Sequence, residues 1–208
     1  PGAAYGSAKR WLPERFAEVA EWFIKDTDGS AVIFGGPQEI EMADEVFKCS
    51  NKLRATSYER ESIEYSEHNS SLVTRHSLLS LAGKTSVREL VALISECDVV
   101  VSNDSGPMHI AYAVGAPLAA IFGSTSPELT GPVGEGNRVI RHGINCSPCF
   151  DRVCKGNDMA CMTSIASEDV FFKVKELSPF RKAVFFDRDG TLCRDADYLN
   201  DWDDFEVS

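Results

Sequence analysis

A layered α/β fold built on a parallel sheet is predicted for this chain by three observations. Short apolar runs alternate with stretches of helical period: Ala31-Val32-Ile33-Phe34, Val99-Val100-Val101 and Leu118-Ala119-Ala120-Ile121-Phe122 each lie between amphipathic segments, the pattern of strands covered on both faces by helices. Each run ends in a small or hydroxyl-bearing turn, at Gly35-Gly36-Pro37, Asn103-Asp104-Ser105-Gly106 and Gly123-Ser124-Thr125-Ser126, which gathers three polar loops at one edge of the sheet. A chain of 208 residues, 43% hydrophobic and 25% charged, is also long enough for one sizeable core, or one domain and part of another.

The elements follow in order. Pro1 to Trp11 is a small-residue loop bearing Lys9 and Arg10. Pro13 is suited to the first position of a helix whose stripe is Phe16, Val19, Ala20, Phe23 and Ile24. Residues 31–34 form a buried strand, and a second helix runs through Ile40, Ala43, Val46 and Phe47. Residues 51–71 are polar and aperiodic and read as a surface excursion. Leu78 to Ala82 suits an edge strand. Ser86-Val87-Arg88-Glu89 is a capping box opening a helix with Leu90, Leu93 and Ile94 inward. The strand 99–102 then enters the turn at Asn103, and a helix starts at Pro107 with Met108, Ala111 and Val114 on one stripe. After the strand 118–122, Arg138 to Arg141 reads as a last short strand. Ser167 reads as the cap of a final helix with Val170, Val174 and Leu177 inward. Ser178 to Arg181 resembles a linker, and Lys182 to Phe186 a fresh strand running into Asp187-Arg188-Asp189-Gly190-Thr191.

Chemistry concentrates at Asp98 to His109. A buried strand, a tight polar loop and a helix start within twelve residues create unpaired backbone N–H groups at the carboxyl edge of the sheet, where an anion is the natural guest. Asp104 and His109 would add a hydroxyl-reading carboxylate and a donor, which suits a phosphate-bearing sugar. The alternative is that Asp104 or Ser105 caps the helix and His109 is a surface residue. Lys9 could supply the counter-charge to a phosphate, or belong to an ordinary solvated turn. Glu41, in a first helical turn, could accept ribose or sugar hydroxyls, or serve the helix dipole. The loop Gly123 to Pro127 could floor a base or sugar.

Cys146, Cys149, Cys154 and Cys161 are spaced C-x2-C-x4-C-x6-C. They could form an all-cysteine zinc site or remain as reduced structural thiols. The net charge of −11 argues against a nucleic-acid partner, which needs a basic face. No apolar run reaches the length of a membrane span, and the first residues lack a signal pattern, so a cytoplasmic protein is expected. The start at Pro1 and the stop at Ser208, inside a new pattern, read as a piece of a longer polypeptide.

The string Asp187-x-Asp189-Gly190-Thr191 after an apolar strand resembles the first motif of the haloacid-dehalogenase phosphatases, and FFDRDGTLCRDADY looks like the opening of the heptose bisphosphate phosphatases. That resemblance implies Asp187 as phosphoryl-accepting nucleophile, Asp189 as acid/base, and magnesium as the cofactor of a complete domain. It covers Lys182 to about Phe205 and omits the later motifs, so this segment would be inert.

Pro1 to about Leu177 resembles the carboxyl-terminal half of the ADP-heptose:lipopolysaccharide heptosyltransferases of glycosyltransferase family 9, through PGAAYGSAKRW, FGGPQE, LAGKTSVREL, SNDSGPMHIAYAVGAP, IFGSTSPELTGP and CSPCF. The resemblance is to the heptosyltransferase II group above all. It implies a Rossmann-like sheet, the donor-binding half of a GT-B glycosyltransferase, with acceptor and catalytic base in an amino-terminal half outside this sequence. It implies that Lys9 contacts the diphosphate, that Ser105 and Gly106 offer backbone N–H groups to it, and that His109 sits beside it. Asp104 would take heptose hydroxyls and Glu41 the ribose, with Glu39 near enough to compete. Transfer would need no metal, and the lipopolysaccharide inner-core acceptor would bring the protein to the cytoplasmic face of the inner membrane. The expected organisation is a donor domain over 1–177, a linker over 178–181 and a phosphatase opening over 182–208.

Overall fold

The computed structural model describes residues 6–27, 29–58, 78–178, 183–187 and 190–192. Seven strands form one sheet in the order β2-β1-β6-β7-β3-β4-β5, with β6 also pairing β3. They are β1 (Ser30–Phe34), β2 (Leu78–Ser80), β3 (Val100–Asn103), β4 (Leu118–Ile121), β5 (Asn137–Ile140), β6 (Ala183–Asp187) and β7 (Gly190–Leu192). The helices are α1 (Pro13–Thr27), α2 (Ile40–Tyr58), α3 (Val87–Ser95), α4 (Gly106–Val114), α5 (Pro127–Thr130), α6 (Ala160–Thr163) and α7 (Ser167–Leu177). The predicted α/β fold with a parallel sheet is the fold observed. Only β7 runs antiparallel to its neighbours β6 and β3.

The chain order explains where a ligand can sit. From β1 the chain passes through α2 to β2 on one side, and from β3 through α4 to β4 on the other. With right-handed crossovers, opposite directions put α2 and α4 on opposite faces. The strand order therefore reverses between β1 and β3, and the crevice at their carboxyl ends is a topological switch point.

The core is legible element by element. Val99, Val100, Val101, Leu118, Ala119, Ala120 and Ile121 are fully buried, as strands sandwiched between helices require. From α1, Phe16, Val19, Ala20, Phe23 and Ile24 are buried as predicted, and this helix packs on α2 and α7. Ser86 and Glu89 close the expected capping box: Glu89 N–H donates to Ser86 Oγ at 3.3 Å, and Ser86 N–H to Glu89 Oε2 at 2.6 Å.

Several expectations are corrected. Helix α2 continues to Tyr58 rather than stopping before the polar stretch. Arg54 holds it down through Nε to Glu21 of α1 at 2.9 Å, and Ser50 donates to the same carboxylate. Residues 59–71 of the supposed excursion lie outside the described residues. Ile40 and Phe47 are partly exposed, so Ala43 and Val46 carry the inner face of α2. Val114 is likewise half-exposed. Ser167 is not a cap but the first residue of α7, its hydroxyl given to Glu18, while Asp169 accepts the Ala166 N–H at 3.2 Å.

The largest difference concerns residues 183–187, the described start of the segment 182–208. Strand β6 was expected to open a second domain beyond a linker at 178–181. It lies instead inside the one sheet, pairing β1 from Ser30↔Ala183 to Phe34↔Asp187 and β3 at Val101↔Phe186. The facing edges of β1 and β3 would otherwise each present a row of unpaired N–H and C=O groups in the middle of the fold, and an apolar strand satisfies both. Among the described residues, no helix is long and apolar enough to cross a membrane.

Candidate functional site

The end of β3 builds the site. Asp104 N–H donates to Ile121 O at 3.2 Å, which ties the polar turn to the end of β4. Ser105 is the N-cap residue of α4 with extended backbone, φ −150° and ψ 176°, yet its side chain makes no capping bond. Its Oγ lies 3.2 Å from Ser102 Oγ instead. The simple capping alternative is thus not what Ser105 does, and the first N–H groups of α4 keep their outward dipole. Pro107 has no N–H to offer, so Gly106 carries the approach, and a β-carbon there would meet nothing within 4 Å.

Lys9 arrives from a 3-10 turn over Ser7–Lys9. Its Nζ donates to Asp104 Oδ2 at 2.6 Å, with the two side chains 11% and 3% exposed. This is a nearly dry ion pair joining residues far apart in sequence, directly before a helix N-terminus. Thr125, also buried, donates its Oγ1 to the same Oδ2 at 2.7 Å. Ser124 beside it is buried, and its hydroxyl has no hydrogen-bond partner. The expected floor loop therefore reaches the site through Thr125.

The lysine loop is braced from two directions. Trp11 is buried, donates its backbone N–H to Asn103 Oδ1 at 3.3 Å and its Nε1 to Ile165 O at 3.1 Å, and meets Phe16 edge-on at 4.9 Å. On the other side Ala8 N–H donates to Arg152 O at 3.1 Å. Gly6 adopts φ +140°, and a β-carbon on it would come 2.0 Å from that same carbonyl oxygen. Only glycine combines this backbone with so close an approach. Sequence reasoning gave no role to Trp11, Asn103 or Arg152, and singled out Thr125 only as part of a loop. Their hydroxyl, amide and indole chemistry was visible, but no local periodicity relates residues so far apart.

His109 is exposed on the first turns of α4, its Nδ1 3.3 Å from Tyr112 Oη and the rings edge to face at 5.7 Å. Glu41 is exposed on α2, whereas Glu39 is buried in the 3-10 turn Pro37–Glu39 that follows β1 and accepts the Gly36 N–H on Oε2 at 2.7 Å. The carboxylate turned toward the glycine pair is therefore Glu39, because the 3-10 turn Pro37–Glu39 rotates Glu41 outward.

The cysteine loop packs against the site rather than apart from it. Phe150 N–H donates to Ser124 O at 2.8 Å and Ser147 Oγ to Gly123 O at 2.6 Å. Cys161 is buried beside Gly123, while Cys146 and Cys149 are exposed and Cys154 lies 3.7 Å from Asp158 Oδ1. Burial pushes the Cys161 thiol up, and the neighbouring Cys146, Cys149 and Cys154 push it the same way. Among the described residues, however, no three His, Cys, Asp or Glu side chains are grouped to hold a metal ion. Cys161 turns inward beside Gly123 while Cys146 and Cys149 face solvent, and the expected four-thiol zinc set is not tested by this geometry.

Asp187 ends β6 opposite Phe34, at the same carboxyl edge as Asp104. Its side chain, and all of Asp189, lie outside the described residues, so the expected magnesium-binding pair is not tested by this geometry.

A helix start without a side-chain cap and a dry lysine–aspartate pair at a switch point define a class: an α/β domain with an electrostatic cleft at the carboxyl edge of its sheet. Comparison with known proteins supplies the family. Residues 1–160 match the family model described as glycosyltransferase family 9 (heptosyltransferase), and the chain belongs to that family. It is 32% identical over 180 residues to lipooligosaccharide heptosyltransferase 2 of Campylobacter jejuni, covering 86% of this chain and 50% of that protein. It is 36% identical over 141 residues to lipopolysaccharide heptosyltransferase 2 of Escherichia coli, covering 68% of this chain and 34% of that protein. The solved structure of Escherichia coli ADP-heptose lps heptosyltransferase II superposes with a TM-score of 0.63 at 29% identity, over 86% of this chain and 45% of that one. A glycosyltransferase of family 9 from Veillonella parvula gives 0.60 at 25% identity, over 83% of this chain and 42% of that one. The chain thus spans half or less of the length of these relatives.

Proposed function

We propose that this chain is the donor-binding half of a heptosyltransferase that moves heptose from ADP-heptose to the inner core of lipopolysaccharide. The observation that carries the reading is the Lys9–Asp104 pair set against the uncapped start of α4. The helix N-terminus and Lys9 together suit a diphosphate: the N–H groups donate to its oxygens, and the ammonium offsets charge that grows on ADP as the glycosidic bond breaks. Asp104 suits the sugar, since a carboxylate accepts hydroxyl hydrogens, and Glu39 suits the ribose better than Glu41. His109 stands beside the diphosphate with its ring oriented by Tyr112.

On this reading the general base and the acceptor site lie in an amino-terminal half outside this sequence. Transfer is then a displacement that needs no metal, and this chain by itself binds donor without turning it over. The lipid acceptor brings the assembled enzyme to the inner membrane's cytoplasmic face.

Calorimetric titration with ADP-heptose, ADP and UDP-glucose tests the reading. Binding is expected to favour ADP-heptose over UDP-glucose, and Lys9→Ala is expected to weaken ADP-heptose and ADP alike, by about 1.5 to 3 kcal/mol as for a hydrogen bond to a charged group. Equal affinity for all three ligands, or an unaffected Lys9→Ala, would overturn it.

A further inference from the structure

Resting on the donor-binding reading, we infer that Thr125 is the positioning residue that turns Asp104 toward the sugar and so separates a nucleotide sugar from a bare nucleotide. Two donors converge on a single oxygen of Asp104: Lys9 Nζ at 2.6 Å and Thr125 Oγ1 at 2.7 Å, both on Oδ2. A carboxylate held by one contact can rotate about its Cβ–Cγ bond and exchange its oxygens. Held on Oδ2 from two directions, it cannot do so without breaking both bonds. Among the described residues no bond is made to Oδ1. The plane of the carboxylate is therefore set by protein, and the other oxygen is presented as an acceptor.

The two donors differ in what else they can do. Lys9 carries charge and three N–H donors and stands next to the helix start, so it can reach a bound diphosphate while one N–H stays on Oδ2. Thr125 is neutral, 4% exposed, and sits on the loop leaving β4, so it stays on Oδ2 whatever occupies the phosphate site. That loop is fixed to β3 through the Asp104 N–H to Ile121 O bond, and to the cysteine loop through Phe150 N–H to Ser124 O. Thr125 is thus placed by backbone contacts on both sides, and its hydroxyl is the part free to act on Asp104. Lys9 serves the diphosphate that every ADP-bearing ligand shares. Thr125 serves the orientation that only the sugar reads.

The experiment compares Thr125→Val, which keeps shape and removes the donor, with Thr125→Ser, which keeps the donor, by titrating the whole chain with ADP-heptose and with ADP. The result expected is a loss of about tenfold in ADP-heptose affinity for Thr125→Val, with ADP affinity unchanged and most of the loss recovered in Thr125→Ser. A Thr125→Val protein that binds ADP-heptose as the wild type does overturns the role of Thr125 and leaves the donor reading intact. A parallel loss for ADP and ADP-heptose overturns it as well, since the hydroxyl then only shapes the loop. A wild-type chain that binds ADP but gains nothing from the heptose overturns the assignment of Asp104 to the sugar, and the inference with it. No binding of either ligand overturns the donor reading itself.

Discussion

Lys9 and Asp104 hold each other in a nearly dry environment, so neither can be removed alone at small cost. Lys9→Ala leaves Asp104 buried with one neutral donor, and urea unfolding is expected to show a loss of about 3 to 5 kcal/mol, as for one broken partner of a buried pair. The double substitution Lys9→Met with Asp104→Asn removes both charges and should recover most of that loss. A double variant as unstable as the single would mean that the pair contributes through shape and not through charge. Asp104, Ser105, Gly106 and His109 were legible as candidates, because a strand, a polar turn and a helix start are local patterns, whereas Lys9 stood out only as a cation in a small-residue loop. Which of Glu39 and Glu41 is buried was not legible, because the 3-10 turn Pro37–Glu39 sets the phase of the following helix. Thr125 was legible as a hydroxyl in a loop, but its bond to Asp104 was not, since contacts between strand ends have no sequence period.

At the scale of elements, the loop that carries Lys9 is held by a close approach at Gly6. Gly6→Ala adds a β-carbon 2.0 Å from the Arg152 carbonyl oxygen at φ +140°, so the loop must shift. Differential scanning calorimetry should show a lower Tm, and ADP affinity should fall with it. Unchanged ADP binding would show that the lysine reaches its place without the brace. Helix α3 depends on its capping box, and Ser86→Ala is expected to cost about 1 kcal/mol in urea unfolding. The Ser86 hydrogen bonds hold the Glu89 carboxyl below the usual range; Ser126 does the same for Glu128, and Lys173 and then Arg138 for Glu176. These groups bind protons less readily folded than unfolded. Their stabilisation is complete above the ordinary glutamate value of about 4.3 and is lost as pH falls through the lowered values. Tm should therefore decline on acidification below about pH 5, and Glu176→Gln should flatten part of that decline. Among the described residues no three side chains are grouped to hold a metal ion, and protein purified without added zinc is expected to carry less than about a tenth of an equivalent per chain. A full equivalent would mean that Cys161 leaves its place beneath the β4 turn.

For the whole molecule, the telling feature is the place of β6. A domain ending at Leu177 should, on the sequence alone, fold independently. In the assembled sheet, removal of residues 178–208 exposes the facing edges of β1 and β3. The shortened chain is expected to melt at lower temperature and with less cooperativity than the full one, and an unchanged transition would show that the sheet closes without β6. By itself the sequence determined the α/β class, the strands 31–34, 99–102 and 118–122, the capping box and the anion-suited turn at Asp104, because each is written in residues that are neighbours along the chain. Only the tertiary structure decided that Thr125 and Lys9 meet on one carboxylate oxygen, that Glu39 is buried while Glu41 is exposed, that Cys161 is buried while Cys146 and Cys149 face solvent, and that β6 joins the sheet. Those outcomes depend on which backbone edges and buried polar groups remain unsatisfied once the elements pack, and that is a property of the assembled fold.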